Sequence, residues 1–101
     1  MSDPVDFEAA WQFVLEHERE SIRRIAERAY QEPMLRRLYP YTSLDNLHFS
    51  HHSDYPYSSL PYVVTADRYE ARAADHRPLA EGSLDDVVKA VVEALASPLE
   101  P

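Results

Sequence analysis

Large and apolar side chains in the first third of the chain follow the repeat of an α-helix. They recur every three or four residues and so form one face: Phe7, Ala10, Trp11, Val14, Leu15, Ile22, Ile25, Ala26, Ala29 and Tyr30. Glu18 interrupts this stripe, and Pro33 ends or kinks the helix because proline lacks a backbone donor. The pattern predicts one long N-terminal helix, followed by a short helix over residues 34–39.

In the middle of the chain, apolar and polar side chains alternate instead. Alternation is typical of β-strands, and it predicts three of them, at residues 46–52, 62–66 and 69–74. In the first strand, Leu47 and Phe49 would lie on one face, with His48 and His52 on the other. The stretch between the first two strands is rich in serine and proline, which predicts a loop.

The end of the chain has the clearest helical pattern. Apolar residues recur there at helical spacing: Leu84, Val87, Val88, Val91, Val92 and Leu95. Ser83 is a favourable N-cap, and Asp85 and Asp86 in the first turn suit the positive end of the helix dipole. Pro98 is expected to end this helix.

Together these elements predict a single small α+β domain over residues 1–101, with an ordered core at about 4–97. The predicted order is a long helix, a short helix, a three-stranded antiparallel sheet and a C-terminal helix (αα-βββ-α). Packing all helices on one sheet face is the economical arrangement. The other face would then be free for solvent or for a partner, and it would carry His48, Ser50, His52, Glu70 and Arg72.

Composition removes several classes of site. The 101 residues include 18 acids and 10 bases, for a formal charge of −8, with one glycine and no cysteine. Phosphate-binding loops need clustered glycines, whereas disulfides and thiolate zinc sites need cysteine, so these are excluded. The acid excess argues against nucleic acid as a partner. Because no apolar run is long enough for a membrane helix and the N-terminus lacks the features of a signal peptide, we expect a cytoplasmic protein that does not bind membranes.

The densest cluster of titratable residues is His48, His51, His52 and Asp54. Imidazole and carboxylate are ordinary ligands for zinc and other divalent ions. Strand alternation turns His51 away from His48 and His52, so a metal site would need Asp54, or His76 from a later loop, to complete it. The alternative is a polar strand whose histidines are solvated or hydrogen-bonded, and no metal or other cofactor is predicted.

The same stretch contains candidates for acid–base catalysis. A histidine beside an aspartate or a tyrosine can transfer protons, which would assign this role to His48, His52, Asp54 and Tyr57. No nucleophile elbow, H-E-x-x-H helix or paired-carboxylate spacing supports a named reaction. The alternative interpretation is a loop rich in turn-forming residues.

Two matched motifs flank the histidine cluster, Tyr39-Pro40-Tyr41 and Tyr55-Pro56-Tyr57. Tyrosine combines a large apolar ring with a polar tip, which favours interfaces, and proline lowers the ordering cost of binding. Alternatively, these rings cover the open edge of a small core.

Arg36 and Arg37 form an exposed basic pair next to the first motif. Such a pair binds a carboxylate or a phosphate through both guanidinium groups, although it is more often a solvated helix face, and Glu32 lies four residues before Arg36. The predicted recognition residues are therefore Arg36, Tyr39, Tyr41, His48, His52, Tyr55 and Tyr57.

The run from residue 32 to residue 43, EPMLRRLYPYTS, is followed by Leu47-His48-Phe49-Ser50 and later by Tyr57 with Leu60-Pro61. These segments resemble a family of small actinobacterial proteins of unknown function, generally labelled as natural-product biosynthesis proteins. The resemblance spans about residues 8–95 and is most specific over residues 32–61. It implies no reaction and no catalytic residue. The run from His51 to Asp54 departs from the pattern of the family, which weakens the metal hypothesis.

The sequence therefore favours a non-catalytic accessory protein of a natural-product pathway, which binds a partner protein or an intermediate through residues 39–62. One alternative is a small enzyme that acts on a biosynthetic intermediate by histidine acid–base chemistry. Another is a dimerisation or immunity-type module, in which a sheet edge or the outer sheet face pairs with another chain.

Overall fold

The structure, a computed structural model, describes residues 6–52 and 59–96, and these residues form five strands and four helices. In chain order the elements are α1 (Asp6–Leu15), α2 (Glu20–Tyr30), α3 (Pro33–Arg36), β1 (Tyr39–Ser43), β2 (Asn46–Ser50), β3 (Tyr62–Val64), β4 (Tyr69–Arg72), β5 (Pro78–Gly82) and α4 (Leu84–Ala96). The strands pair antiparallel and lie side by side in chain order. The fold is α+β, but the predicted three-stranded sheet and the αα-βββ-α order are wrong.

The two strands that the sequence pattern does not predict, β1 and β5, are the two edges of the sheet. β1 contains Pro40 and β5 begins with Pro78. Proline is tolerated at a sheet edge, because one side of an edge strand needs no ladder partner. β5 also ends in Gly82 and lacks β-branched residues, so its intrinsic strand propensity is weak. The pattern assigns the start of β1 to the short helix, which ends at Arg36 in the structure.

The predicted long N-terminal helix is two helices, with a break at residues 16–19. The apolar stripe has no member in this break. Nδ1 of His17 accepts a hydrogen bond from the Arg19 N–H at 3.1 Å, and the Arg23 guanidinium donates to the carbonyls of His17 and Glu18 at 2.8 and 3.2 Å. These bonds satisfy backbone groups at the two helix ends, which stabilises the break.

The core lies on one face of the sheet. Leu47, Phe49, Val63 and Ala71 are buried on this inner face, and the register pairs Leu47 with Val63 and Val63 with Ala71. Helices α1, α2 and α4 cover them and supply further core residues: Trp11, Val14, Ile22, Ile25, Ala26, Ala29, Val87, Val88 and Val91. The helical stripes predicted at both ends of the chain therefore supply most of the core, although Tyr30 of the first stripe is 40% exposed.

The start of α4 is as the sequence predicts. The Ser83 hydroxyl accepts a hydrogen bond from the Asp86 N–H at 3.1 Å, which makes Ser83 the N-cap. Gly82 before it has φ +128°, a conformation that side chains rarely permit. Pro98, the predicted end of the helix, lies outside the described residues. Within residues 6–52 and 59–96, no helix has both the length and the apolar character to cross a bilayer.

Candidate functional site

Four aromatic rings form a row across the outer face of the sheet, from β1 to the loop between β4 and β5. We call this set the outer row, and its members are Tyr41, His48, Tyr62 and His76. The rings of Tyr41 and His48 stack with centroids 5.1 Å apart, and those of His48 and Tyr62 with centroids 4.5 Å apart. The planes of each stacked pair differ by only 17°. His76 meets the Tyr62 ring edge-on, at 5.8 Å.

The register of the strands creates this row. β1 and β2 pair Tyr41 directly with His48. The pairing of Leu47 with Val63 brings the next residues, His48 and Tyr62, side by side on β2 and β3. Opposed side chains on one sheet face lie about 5 Å apart, which is the distance that aromatic stacking needs. Because Leu47 and Val63 face the core, their neighbours in the row face outward.

A hydrogen bond fixes one end of the row. The Tyr62 hydroxyl lies 2.8 Å from Nδ1 of His76, and the Tyr62 side chain is only 7% exposed. His76 has φ +75°, in the left-handed region, which histidine adopts more often than most residues but still at a cost. Its N–H donates to the Ala73 carbonyl at 2.8 Å, and the Ala73 N–H donates to the Arg77 carbonyl at 2.8 Å. This tight loop holds the imidazole against Tyr62.

His48 is the titratable centre of the row. Burial lowers the pKa of its imidazole below the ordinary value of 6.5, and the nearby charge of His76 lowers that pKa further. The His48 ring is therefore neutral at neutral pH, with one nitrogen that donates a hydrogen bond and one that accepts. Together with the tyrosine hydroxyls, the neutral His48 ring gives the row hydrogen-bonding groups.

Stacking leaves the polar edges of the rings as the chemistry that a ligand meets. Tyr41 and His48 are half-buried, and the stacked rings cover one another's faces. Tyr62 is only 7% exposed, so a ligand on this face would contact chiefly the half-buried rings of Tyr41 and His48 on a rigid apolar base. This arrangement suits recognition of hydrogen-bonding groups. It also permits proton transfer at the Tyr62 hydroxyl, which already has His76 as its partner.

The structure does not bring the predicted recognition residues together in one place. The outer row contains two of them, but Tyr39 stacks on Phe7 of α1, with ring centroids 4.2 Å apart. The Arg36 guanidinium lies 5.5 Å from the centre of the Tyr30 ring of α2. Within its described residues, the segment 39–62, predicted to form one surface, therefore contributes to the outer row and also packs against α1 through Tyr39.

The other predicted residues do not join the row within the described part of the chain. His52 is exposed just beyond β2, where its N–H donates to the Ser50 hydroxyl oxygen at 3.0 Å. Asp54, Tyr55 and Tyr57 lie outside the described residues. Among the residues that the structure describes, no three histidine, aspartate or glutamate side chains are placed to hold a metal ion.

Two members of the row, Tyr62 and His76, are not among the predicted binding residues. The signal for Tyr62 is its alternation with Val63, which places it on the face opposite the core. His76 has no comparable signal, because its position depends on the turn into β5 and the sequence pattern does not predict β5. From the sequence, His76 is predicted only as a possible metal ligand from a distant loop.

Two surface cavities of the described residues are lined by other side chains, and the second borders the row because Asp75 and Arg77, the neighbours of His76, line it. One, of about 520 Å³, lies where α1 ends and includes Phe13 and His17. The other, of about 630 Å³, lies between Leu60, the loop after β4 and the end of α4. Neither cavity is lined by a member of the outer row.

The chain belongs to a family of unknown function (DUF6193), whose family model matches residues 7–101. This confirms the coarser part of the resemblance, a family of unknown function that covers most of the chain. No curated protein and no solved structure matches the chain.

Proposed function

We propose that this chain is a non-catalytic accessory protein that binds a partner protein through the outer row. The observation that carries the proposal is the stacking of Tyr41, His48 and Tyr62 across three adjacent strands, at 5.1 and 4.5 Å. Such a ladder is ordered before binding, so little conformational entropy is lost on association. Aromatic side chains with polar tips are also the residues that protein interfaces favour.

A protein surface fits the row better than a small intermediate does. Small-molecule sites enclose most of the ligand in a concave pocket. The row stands on the outer face of a sheet and lines neither of the two cavities described above for the residues that the structure describes. The contacting surface of the partner would carry hydrogen-bonding groups that complement neutral imidazole and phenol.

Natural-product biosynthesis is the setting that we propose for this partner. The support is the resemblance of residues 32–61 to small actinobacterial proteins that carry this label. The family description itself assigns no function. The partner would be another protein of the same pathway, and both would act in the cytoplasm.

One observation favours a second candidate function, a small enzyme. The Tyr62 hydroxyl and Nδ1 of His76 are 2.8 Å apart, and His48 stacks on the same tyrosine. A tyrosine hydroxyl that is hydrogen-bonded to a histidine can transfer a proton to or from a bound intermediate. In that case Tyr62→Phe abolishes turnover, because it removes the hydroxyl while it keeps the stacked ring.

Capture from an extract of the source organism tests the proposal. The test bait combines Tyr41→Ala with His48→Ala, and the control bait is Phe13→Ala, which removes a ring that is 61% exposed on α1. We expect one partner protein on the wild-type and control baits and its loss from the double variant. Equal retention by all three baits would contradict the proposal, and capture of the chain itself would favour the homodimer instead.

A further inference from the structure

Among the residues that the structure describes, two adjacent arginines at the end of α3 have no oxygen partner of the kind that the other arginines have. Among the described residues, seven arginines contact a carboxylate or a backbone carbonyl: Arg19, Arg23, Arg24, Arg28, Arg68, Arg72 and Arg77. Arg36 and Arg37 are exposed, and no such contact is present for either, although the chain has 18 acids for 10 bases. Unpaired guanidinium groups are suited to bind an anionic group from outside the chain.

The carboxylate closest to Arg36 in the preceding sequence, that of Glu32, is paired with another arginine. Glu32, four residues before Arg36, accepts a hydrogen bond from Arg28 at 2.9 Å. Arg28 also donates to Asp85 of α4 at 2.6 Å, and only 16% of its side chain is exposed. Because packing between α2 and α4 holds this arrangement, Arg36 is left without its local carboxylate.

Exposed apolar side chains border the two arginines. Tyr30 and Met34 are each 40% exposed, and the Arg36 guanidinium lies over the Tyr30 ring at 5.5 Å. This contact restrains the guanidinium while its in-plane N–H groups stay available to a ligand. We call Tyr30, Met34, Arg36 and Arg37 the arginine surface. Tyrosine and arginine are the residue types that contribute most often to strong binding at interfaces.

We propose that the arginine surface binds an acidic segment of a partner protein, in which carboxylates flank an apolar side chain. The charge of the two arginines requires an anionic ligand. The exposed ring and thioether favour a polypeptide over a free anion, because a free anion would leave that apolar area in water. This surface is carried by α2 and α3 and shares no residue with the outer row, so the inference stands independently of the proposed function.

A labelled probe peptide tests this inference on the full chain. The probe is a fluorescein-labelled peptide with two leucines flanked by glutamates, and its fluorescence anisotropy reports binding. Arg36→Gln combined with Arg37→Gln should weaken binding about tenfold, since charge-assisted hydrogen bonds are lost. The control combines Arg24→Gln with Arg68→Gln, the same change of charge at side chains 61% and 68% exposed. Its affinity should stay within about twofold of the wild-type value.

Further measurements separate a polypeptide from other ligands. Met34→Gln, and a probe with alanine in place of leucine, should each weaken binding, whereas inorganic phosphate should not displace the probe. His48→Ala should bind as the wild type does, which separates this surface from the outer row. The absence of binding, an equal loss in the control pair, or displacement by phosphate would overturn the inference. All the substituted arginines are exposed, so thermal unfolding should match the wild type.

Discussion

The imidazole of His48 and the ring of Tyr62 stack at 4.5 Å and so join β2 to β3 on the outer face of the sheet. On the inner face of the same strands, Leu47 lies opposite Val63 in the core. Because successive residues of a strand face opposite sides, one register places both pairs. A shift of the β2–β3 register by one residue would break both pairs. The register that forms the core therefore also fixes the geometry of the outer row.

His48 should make the free energy of unfolding depend on pH. Its pKa is lowered in the folded chain, by burial first and then by His76, whereas the unfolded chain has the ordinary value of 6.5. As the pH falls below that value, the unfolded state takes up the proton first, so stability is lost down to the lower folded pKa. Above the ordinary value this contribution to stability is complete. Urea unfolding in steps from about pH 7.5 to about pH 5 measures the effect.

His48→Phe is the variant that isolates this effect. Phenylalanine keeps a ring between Tyr41 and Tyr62 but binds no proton. Below pH 6.5, the free energy of unfolding of the variant should therefore fall less steeply than that of the wild type. The same slope in both proteins would show that burial of His48 does not disfavour its charged form.

Leu44 is a position where substitution should stabilise the fold. It lies at the tip of the β1–β2 hairpin with φ +57°, and it is 92% exposed. A leucine in the left-handed region is strained relative to glycine, and an exposed side chain has no packing to lose. Leu44→Gly should raise the free energy of unfolding by about 1 kcal/mol, as measured by urea unfolding.

Ser43, the preceding residue, provides the matched control. It is exposed and lies in the extended backbone of β1. Glycine there only adds freedom to the unfolded chain, so Ser43→Gly should lower the free energy of unfolding by roughly 0.5 kcal/mol. If both substitutions lower it, the backbone of Leu44 is not strained.

Arg28 joins α2 to the start of α4. Its guanidinium donates to Asp85 at 2.6 Å and to Glu32 at 2.9 Å, and the hydrogen bond lowers the pKa of the Asp85 carboxyl below 3.8. That stabilisation is present above the ordinary pKa and is lost as the pH falls toward the lowered one. Arg28→Gln should therefore lower the thermal unfolding temperature at neutral pH by several degrees.

Arg24→Gln is the control for this prediction. Arg24 pairs with Glu20 on the same helix at 3.7 Å, and both side chains are more than half exposed. Water screens such a pair, so its loss should hardly change the unfolding temperature. Equal shifts for both variants would mean that the Arg28 contacts contribute no more than a surface pair does.

The C-terminal helix could be predicted from the sequence because its determinants are local. The hydroxyl of Ser83 caps the backbone three residues ahead, and the valine stripe follows the helical repeat. The edge strands could not be predicted in this way, because Pro40 and Pro78 disfavour β-strand when only neighbouring residues are considered. They are strands because a neighbouring strand supplies their partners on one side. The break after Leu15 has only a weak signal in the sequence, the interruption of the stripe at Glu18, because the apolar residues keep their helical spacing on both sides.

Only part of the outer row could be predicted from the sequence, because local patterns identify some of its members and strand pairing brings in the others. Tyr41 and His48 could be named as candidate recognition residues from composition and alternation alone. Tyr62 joins them only through the register of β2 with β3, and His76 only through the loop into β5. Both depend on pairing between distant segments, which residue patterns do not contain.

Photo-crosslinking from within the outer row tests most directly whether a partner protein contacts it. Replacement of Tyr41 by p-benzoylphenylalanine keeps an aromatic ring on the outer face and makes it reactive toward a contacting protein. The same replacement of Phe13, which is 61% exposed on α1, is the control. We predict a covalent adduct with one partner protein from the Tyr41 position and none from the Phe13 position. An adduct from the Phe13 position alone, or from neither position, would contradict the account.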